Sequence, residues 1–228
     1  MSENTRVIPI FPLELVQFPG ALTPLHIFEP RYRKLLKDVL ATDKTFGIIC
    51  RAEEPGIGTG KPPVGSIGCT VEVAVVQELP DGRSNILCVG NTRYRLRGYI
   101  QGETYLQAEV EFFEDETAFD DFGWEVAQVK SLFERALVAG RKLKEERESA
   151  DLELPDLPDD AQALSFIVAA YLDIKLSEKQ EMLEMVDTGE RLRRVHQILS
   201  ELVVDYERRA VVKKISRSNG HGGKLPEL

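Results

Sequence analysis

The chain has 228 residues, with 29 Lys and Arg against 38 Asp and Glu, and a formal charge of −9. Hydrophobic residues make up 43% and charged residues 29%, the composition of a globular protein, which excludes disorder, collagen and coiled coil for the chain as a whole. The acidic balance argues against a dedicated nucleic-acid binder, because neutralising phosphate needs clustered Lys and Arg; a local basic patch stays open.

No apolar run approaches the roughly 18–20 residues that span a bilayer. The opening Met1 to Arg6 lacks the basic and apolar regions of a secretory leader. The expected location is therefore the cytoplasm. Cys50, Cys69 and Cys88 are odd in number and evenly spaced in a way that matches no metal-ligand pattern. Each lies among apolar or small neighbours, as buried free thiols in a reducing compartment do.

The first half reads as β structure. Val7 to Pro12 is extended, because Pro9 and Pro12 deny it a helix. Phe18-Pro19-Gly20 is a turn, and Leu22 to Phe28 a second extended segment. Pro30 to Leu40 is a helix with Pro in its first turn and Tyr32, Leu35, Leu36, Val39 and Leu40 as its apolar stripe. Phe46 to Cys50 is a short strand, and Glu53 to Gly65 a loop rich in Gly and Pro.

Beyond that loop, Val71, Val73 and Val75 alternate with Glu72 and Ala74, and Leu79-Pro80-Asp81-Gly82-Arg83 makes a hairpin turn with Asp-Gly at its corner. Ile86 to Tyr99 and Tyr105 to Phe113 complete the set. Tyr94 and Leu96 alternate with Arg93, Arg95 and Arg97, and Leu106, Ala108, Val110 and Phe112 with Gln107, Glu109 and Glu111. Period two predicts half-buried antiparallel strands.

The second half is helical. Phe122, Val126, Val129, Phe133 and Leu137 share one helix face, continuing into the charged stretch 141–148. After the linker Leu152 to Pro158, helices are predicted over Asp160 to Leu172, from a capping box at Ser177 to about Val186, and from a second capping box at Asp187-Thr188-Gly189-Glu190 onward. The last is long, with Leu192, Val195, Leu199, Leu202 and Tyr206 in its stripe. This stripe has coiled-coil spacing, which leaves a homodimer open, although two heptads more often pack within one chain. The division that follows is a β subdomain over 1–115 with charge −3, a helical-bundle subdomain over 116–213 with charge −8, and a disordered tail over 214–228 with charge +2.

Chemistry is hard to find. Gly56 to Pro62 resembles a phosphate loop, but that pattern needs Gly at 55 and a hydroxyl at 62, and both positions hold Pro. His26, His196 and His221 are scattered, and no Ser or Cys has a recognisable nucleophile context. The Asp pairs at 120–121 and 159–160 suit helix starts. No catalytic residue, cofactor site or metal site is assigned. Arg93, Arg95 and Arg97 form the most basic strand face. Either they meet RNA phosphate, or they form a solvated face paired across the sheet with Glu72, Glu109 or Glu111.

The most specific signal is the run Ile8-Pro9-Ile10-Phe11-Pro12-Leu13, then Val16-Gln17-Phe18-Pro19-Gly20, then Pro24-Leu25-His26-Ile27-Phe28-Glu29-Pro30-Arg31-Tyr32. It resembles the opening of the Lon protease N-terminal domain. The resemblance continues through Phe46-Gly47-Ile48, Gly65 to Cys69, Leu79 to Arg83, Gly90 to Tyr94, Glu181 to Glu184 and Arg191-Leu192, over about residues 6–210. It implies an α+β fold: a PUA-like β pseudo-barrel with one or two short helices, followed by a helical bundle ending in a long helix. It also implies a non-enzymatic module that binds client polypeptides, or an adaptor for a protease or assembly partner, without ATP. The expected surface is a cleft between the halves, and Leu13, Phe18 and Leu22 are the candidate polypeptide-binding residues. The alternative is an RNA-binding PUA-like protein that uses Arg93, Arg95 and Arg97.

Overall fold

A computed structural model describes residues 4–51, 61–101, 104–116, 121–144 and 156–219. The elements follow the order β1 Thr5–Leu13, β2 Leu22–Ile27, α1 Pro30–Leu40, β3 Thr45–Cys50, β4 Ile67–Glu78, β5 Ser84–Ile100, β6 Leu106–Phe112, α2 Gly123–Lys144, α3 Ala161–Tyr171, α4 Leu176–Glu184 and α5 Thr188–Asn219. The phosphate-loop lookalike lies, except for its last two residues, outside the described residues, as do the end of the charged stretch after α2 and the last nine residues.

The six strands run β2-β5-β4-β3-β1-β6, and β5 also pairs with β6, so five of them close a ring to which β2 is added at the edge. Closure is possible because β5 is 17 residues long. Its first half lies between β2 and β4, and its second half pairs with β4 and then β6. Register shifts at Cys69/Val71, Val73/Val75 and Leu96/Gly98 supply the bends. β1 pairs with β3 in parallel, which requires the crossover through β2 and α1. The turn after β4 is closed by the Leu79 N–H on the Arg83 carbonyl (2.8 Å), with Gly82 at φ +77°. The pseudo-barrel is thus the expected one.

Alternate residues fill its interior. Ile10, Ile49, Tyr94, Leu96, Ala108 and Val110 form one core cluster, and the Tyr94 hydroxyl donates to the Ile48 carbonyl (3.1 Å). The stripe of α1 (Tyr32, Leu35, Leu36 and Val39) joins Phe11, Phe46 and Val71 in the second.

By contact the chain forms two compact units, Met1–Phe119 with Gln162–Thr188, and Asp120–Ala161 with Gly189–Leu228. This grouping differs from a border at residue 115, because α3 and α4 fall with the strands. Phe166 of α3 meets Phe18 at 6.2 Å between ring centroids, and Gln180 of α4 donates to the Ile67 carbonyl (3.0 Å). In the second unit Val129 and Phe133 of α2 and Leu192, Val195 and Leu199 of α5 are buried, as their spacing predicts.

Two helix ends differ from expectation. Lys175, not Ser177, is the N-cap of α4 and makes no side-chain cap, so the Ser177 pattern lies inside the helix. α5 continues to Asn219, past the expected start of a disordered tail, because the chain has no Gly or Pro between Gly189 and Gly220.

Candidate functional site

The three apolar candidates do not share a surface. Phe18 is fully buried and is a core residue. Leu13 is partly buried against the α1 side of the core. Only Leu22 is open, at 62% exposure. Phe18 is therefore corrected as a binding residue: the Phe18-Pro19-Gly20 turn placed it in a loop between the first two strands, but Phe166 of α3 packs against it.

The arginine face is corrected as well. Arg93 is 2% exposed. It forms an ion pair with Asp115, donates to the Leu183 and Met185 carbonyls (2.9 and 2.6 Å), and lies over the rings of Phe113 and Phe166. Asp115 also accepts from the Thr188 hydroxyl (2.5 Å). Arg97 pairs with Glu111 across the strands, one of the expected partners, and Arg95 lies over Phe113. Alternation placed Arg93 on the outside of the barrel, and the α4–α5 junction covers that outside.

A face that the sequence reading missed is open. Among the described residues β2 pairs only with β5, which makes it an edge strand. The Gly90 N–H donates to the Ala21 carbonyl (2.9 Å). With the two-residue alternation of an antiparallel pair, Thr23, Leu25 and Ile27 direct their backbone groups to β5, and Leu22, Pro24 and His26 direct theirs to the free edge. Leu22, Pro24 and His26 also carry exposed side chains. In register beside them lie Val89 and Leu87 of β5, and Val75 of β4 (55% exposed) stands opposite Leu87. The irregularity between Val73 and Val75 turns both Ala74 and Val75 outward, which widens this apolar face.

One end of the face is closed by a polar row. Asn85 donates to Gln77 Oε1 (3.2 Å), so its own oxygen accepts from His26 Nδ1 (2.7 Å). His26 stacks on Phe28, which is 58% exposed and extends the face. The imidazole is thus held by a structural hydrogen bond, with no nucleophile among these partners. The other end meets Glu72, opposite Val89.

A second concavity, of about 720 Å³, lies between α4 and the strands of the same unit, with Ile67, Cys50 and Leu176 among its walls and Glu14, Glu181 and Glu184 at its rim. Burial first, then the Glu14 charge, pushes the Cys50 thiol up. Burial drives Cys69 and Cys88 up to about 12. All three thiols are free and held in the unreactive protonated form. Among the described residues no group of three or more His, Cys, Asp or Glu is placed to hold a metal ion, and no helix is long and apolar enough to cross a membrane.

The fold defines a mixed α+β domain, a pseudo-barrel with helices. The family model of the ATP-dependent protease La (LON) substrate-binding domain matches residues 7–201, and the chain belongs to that family. The domain of this family is a non-catalytic substrate-recognition module. Among curated relatives, the Lon protease of Anaeromyxobacter dehalogenans is 25% identical over 85% of this chain, and Lon protease 2 of Myxococcus xanthus 26% identical over 86%. The chain spans about a quarter of the length of these relatives, 23% and 24%. The N-terminal domain of a Mycobacterium avium complex Lon protease has the same fold, with a TM-score of 0.62 at 21% identity, covering 86% of this chain and 98% of that one. A Lon N-terminal domain protein from Xanthomonas campestris gives 0.57 at 24%, covering 83% and 96%.

Proposed function

We propose that this chain captures exposed apolar segments of client polypeptides on the outer face of β2, β5 and β4. The observation that carries the reading is an apolar face (Leu22, Pro24, Leu87, Val89 and Val75) on an edge strand with free backbone donors and acceptors. An extended segment can add to such an edge through main-chain hydrogen bonds while its alternate side chains rest on the face. Pro24 removes one donor from mid-edge, which discourages pairing of the protein with its own copies. Family membership supports the reading, since the family's domain is described by substrate binding. Held segments could be handed to a protease, which would make the chain an adaptor. Its three free thiols suit a reducing compartment such as the cytoplasm.

The test is fluorescence anisotropy with a labelled, permanently unfolded protein, with and without Leu22→Asp plus Val75→Asp. Both positions are exposed, so the change costs about 1 kcal/mol or less of stability. Binding should weaken about tenfold or more, since each burial lost is on the order of 1 kcal/mol. Equal binding by a folded double variant contradicts the reading.

A further inference from the structure

We infer that the pocket between α4 and the barrel takes a cationic side chain, arginine or lysine, from a client segment with apolar flanks. This deepens the function proposed above and rests on it for the nature of the ligand. The pocket's volume of about 720 Å³ falls in the range of small-ligand sites, so it accommodates a side chain and part of its flanks. The apolar walls at Ile67 and Leu176, the latter 40% exposed, suit the methylene stem of a long side chain.

The polar groups in the pocket are weighted towards acceptors. Gln180 donates its amide protons to the Ile67 carbonyl (3.0 Å) and the Glu184 carboxylate (2.8 Å). That fixes its Oε1 as an acceptor, and this buried oxygen has no donor. A shielded acceptor without a partner carries a free-energy cost until a donor reaches it. Glu181 and Glu184 are exposed at the rim beside it. Among the described residues the one cation of the lining, Arg51, is already paired with Glu14. The two carboxylates, Glu184 already accepting one proton from Gln180, and the orphan amide oxygen are acceptors, which call for a group that only donates, and ammonium and guanidinium are such groups. The positive dipole end of α4 lies at Leu176 and Ser177, whereas Glu181 and Glu184 stand one to two turns further on. This polarity places the cation at the 181–184 end.

The test compares two labelled peptides by anisotropy, acetyl-Ala-Leu-Arg-Leu-Ala-amide and the same sequence with neutral, isosteric citrulline for Arg. The arginine peptide should bind about fivefold more tightly, the scale of two exposed charge contacts, and the preference should shrink with salt. Glu181→Gln with Glu184→Gln should erase it, while Gln at 184 keeps an acceptor for the Gln180 amide. Amide shifts on binding should cluster at Ser66, Ile67 and Leu176 to Glu184. Equal affinity for the two peptides, no binding of either, or a preference that survives the double variant overturns the inference. The Leu22→Asp and Val75→Asp protein separates the two proposals. Arginine preference retained there, with unfolded protein bound no worse than by the parent, overturns the outer-face reading alone. Equal arginine and citrulline binding, with capture of unfolded protein lost, overturns the pocket alone.

Discussion

Arg93 and Arg97 stand four positions apart on one strand and have opposite meanings. Arg93 closes a buried network with Asp115, two carbonyls of the α4–α5 junction and, through Asp115, Thr188. Removing it takes the cation from a buried carboxylate and a donor from each of two carbonyls. Arg93→Ala should therefore cost about 3–5 kcal/mol in chemical denaturation, and Arg93→Lys should fail to rescue it fully, because a point charge cannot reproduce the fork. Arg97→Ala breaks a half-exposed pair with Glu111 and should cost less than about 1 kcal/mol. The thiols give a further prediction at this scale. Burial raises Cys69 and Cys88 from the usual 9.0 to about 12. Between those values the unfolded chain loses protons that the folded chain keeps, so stability falls as pH rises through that window, by about 1.4 kcal/mol per thiol and pH unit. Denaturation midpoints recorded across the window check the slope, and a Cys69→Ala, Cys88→Ala protein should lose that part of it. The single residues also mark the limits of the sequence. Alternation correctly put Arg93 and Tyr94 on opposite sides of a strand, but it cannot tell an outside facing water from an outside covered by a later helix. The turn at Phe18-Pro19-Gly20 likewise reads as a surface loop until α3, almost 150 positions later in the chain, places Phe166 against Phe18.

At the scale of elements the strands and α1 were legible because local chemistry decides them. Pro9 and Pro12 exclude a helix, Asp81-Gly82 makes the hairpin corner, and the α1 stripe fixes its buried side. The outer face was not read, although its signal was present. Ile86 to Val89 is apolar at every position. Ile86 and Cys88 fill the interior, so Leu87 and Val89 had to lie outside. The Ser177 cap failed because α4 opens at Leu176 with Lys175 as its N-cap, which leaves Ser177 inside the first turn, whereas α5 opens at Thr188, directly after Asp187 of the second box. One element contact has a direct consequence. The chain before β2 crosses β5 at Gly90, whose N–H and C=O bond Ala21 and Gly20 (both 2.9 Å). A Cβ on Gly90 would fall on the Phe18 carbonyl and the Gln17 side chain. Gly90→Ala should lower stability by about 1–3 kcal/mol, the cost of overpacking, measurable by thermal melting. Because this crossing positions the start of β2, the same variant should also weaken capture of an unfolded polypeptide under conditions where it stays folded.

For the molecule as a whole, the sequence led to the family and to a pseudo-barrel with helices, and both hold. What it could not supply was the grouping of α3 and α4 with the strands, since contacts such as Gln180 to Ile67 join positions more than a hundred residues apart. That grouping creates the acidic pocket, and the closed ring leaves β2 as the strand with a free edge. The central claim is that this edge and its apolar face touch the client. Its most direct test is site-specific photocrosslinking to a permanently unfolded protein, with benzoylphenylalanine placed at Leu22, at Val75 and, as a control, at the equally exposed Val204 of the second unit. The account predicts client adducts at 22 and 75, competed by unlabelled client, and none above background at 204. Adducts confined to 204, or equal at all three positions, would contradict it.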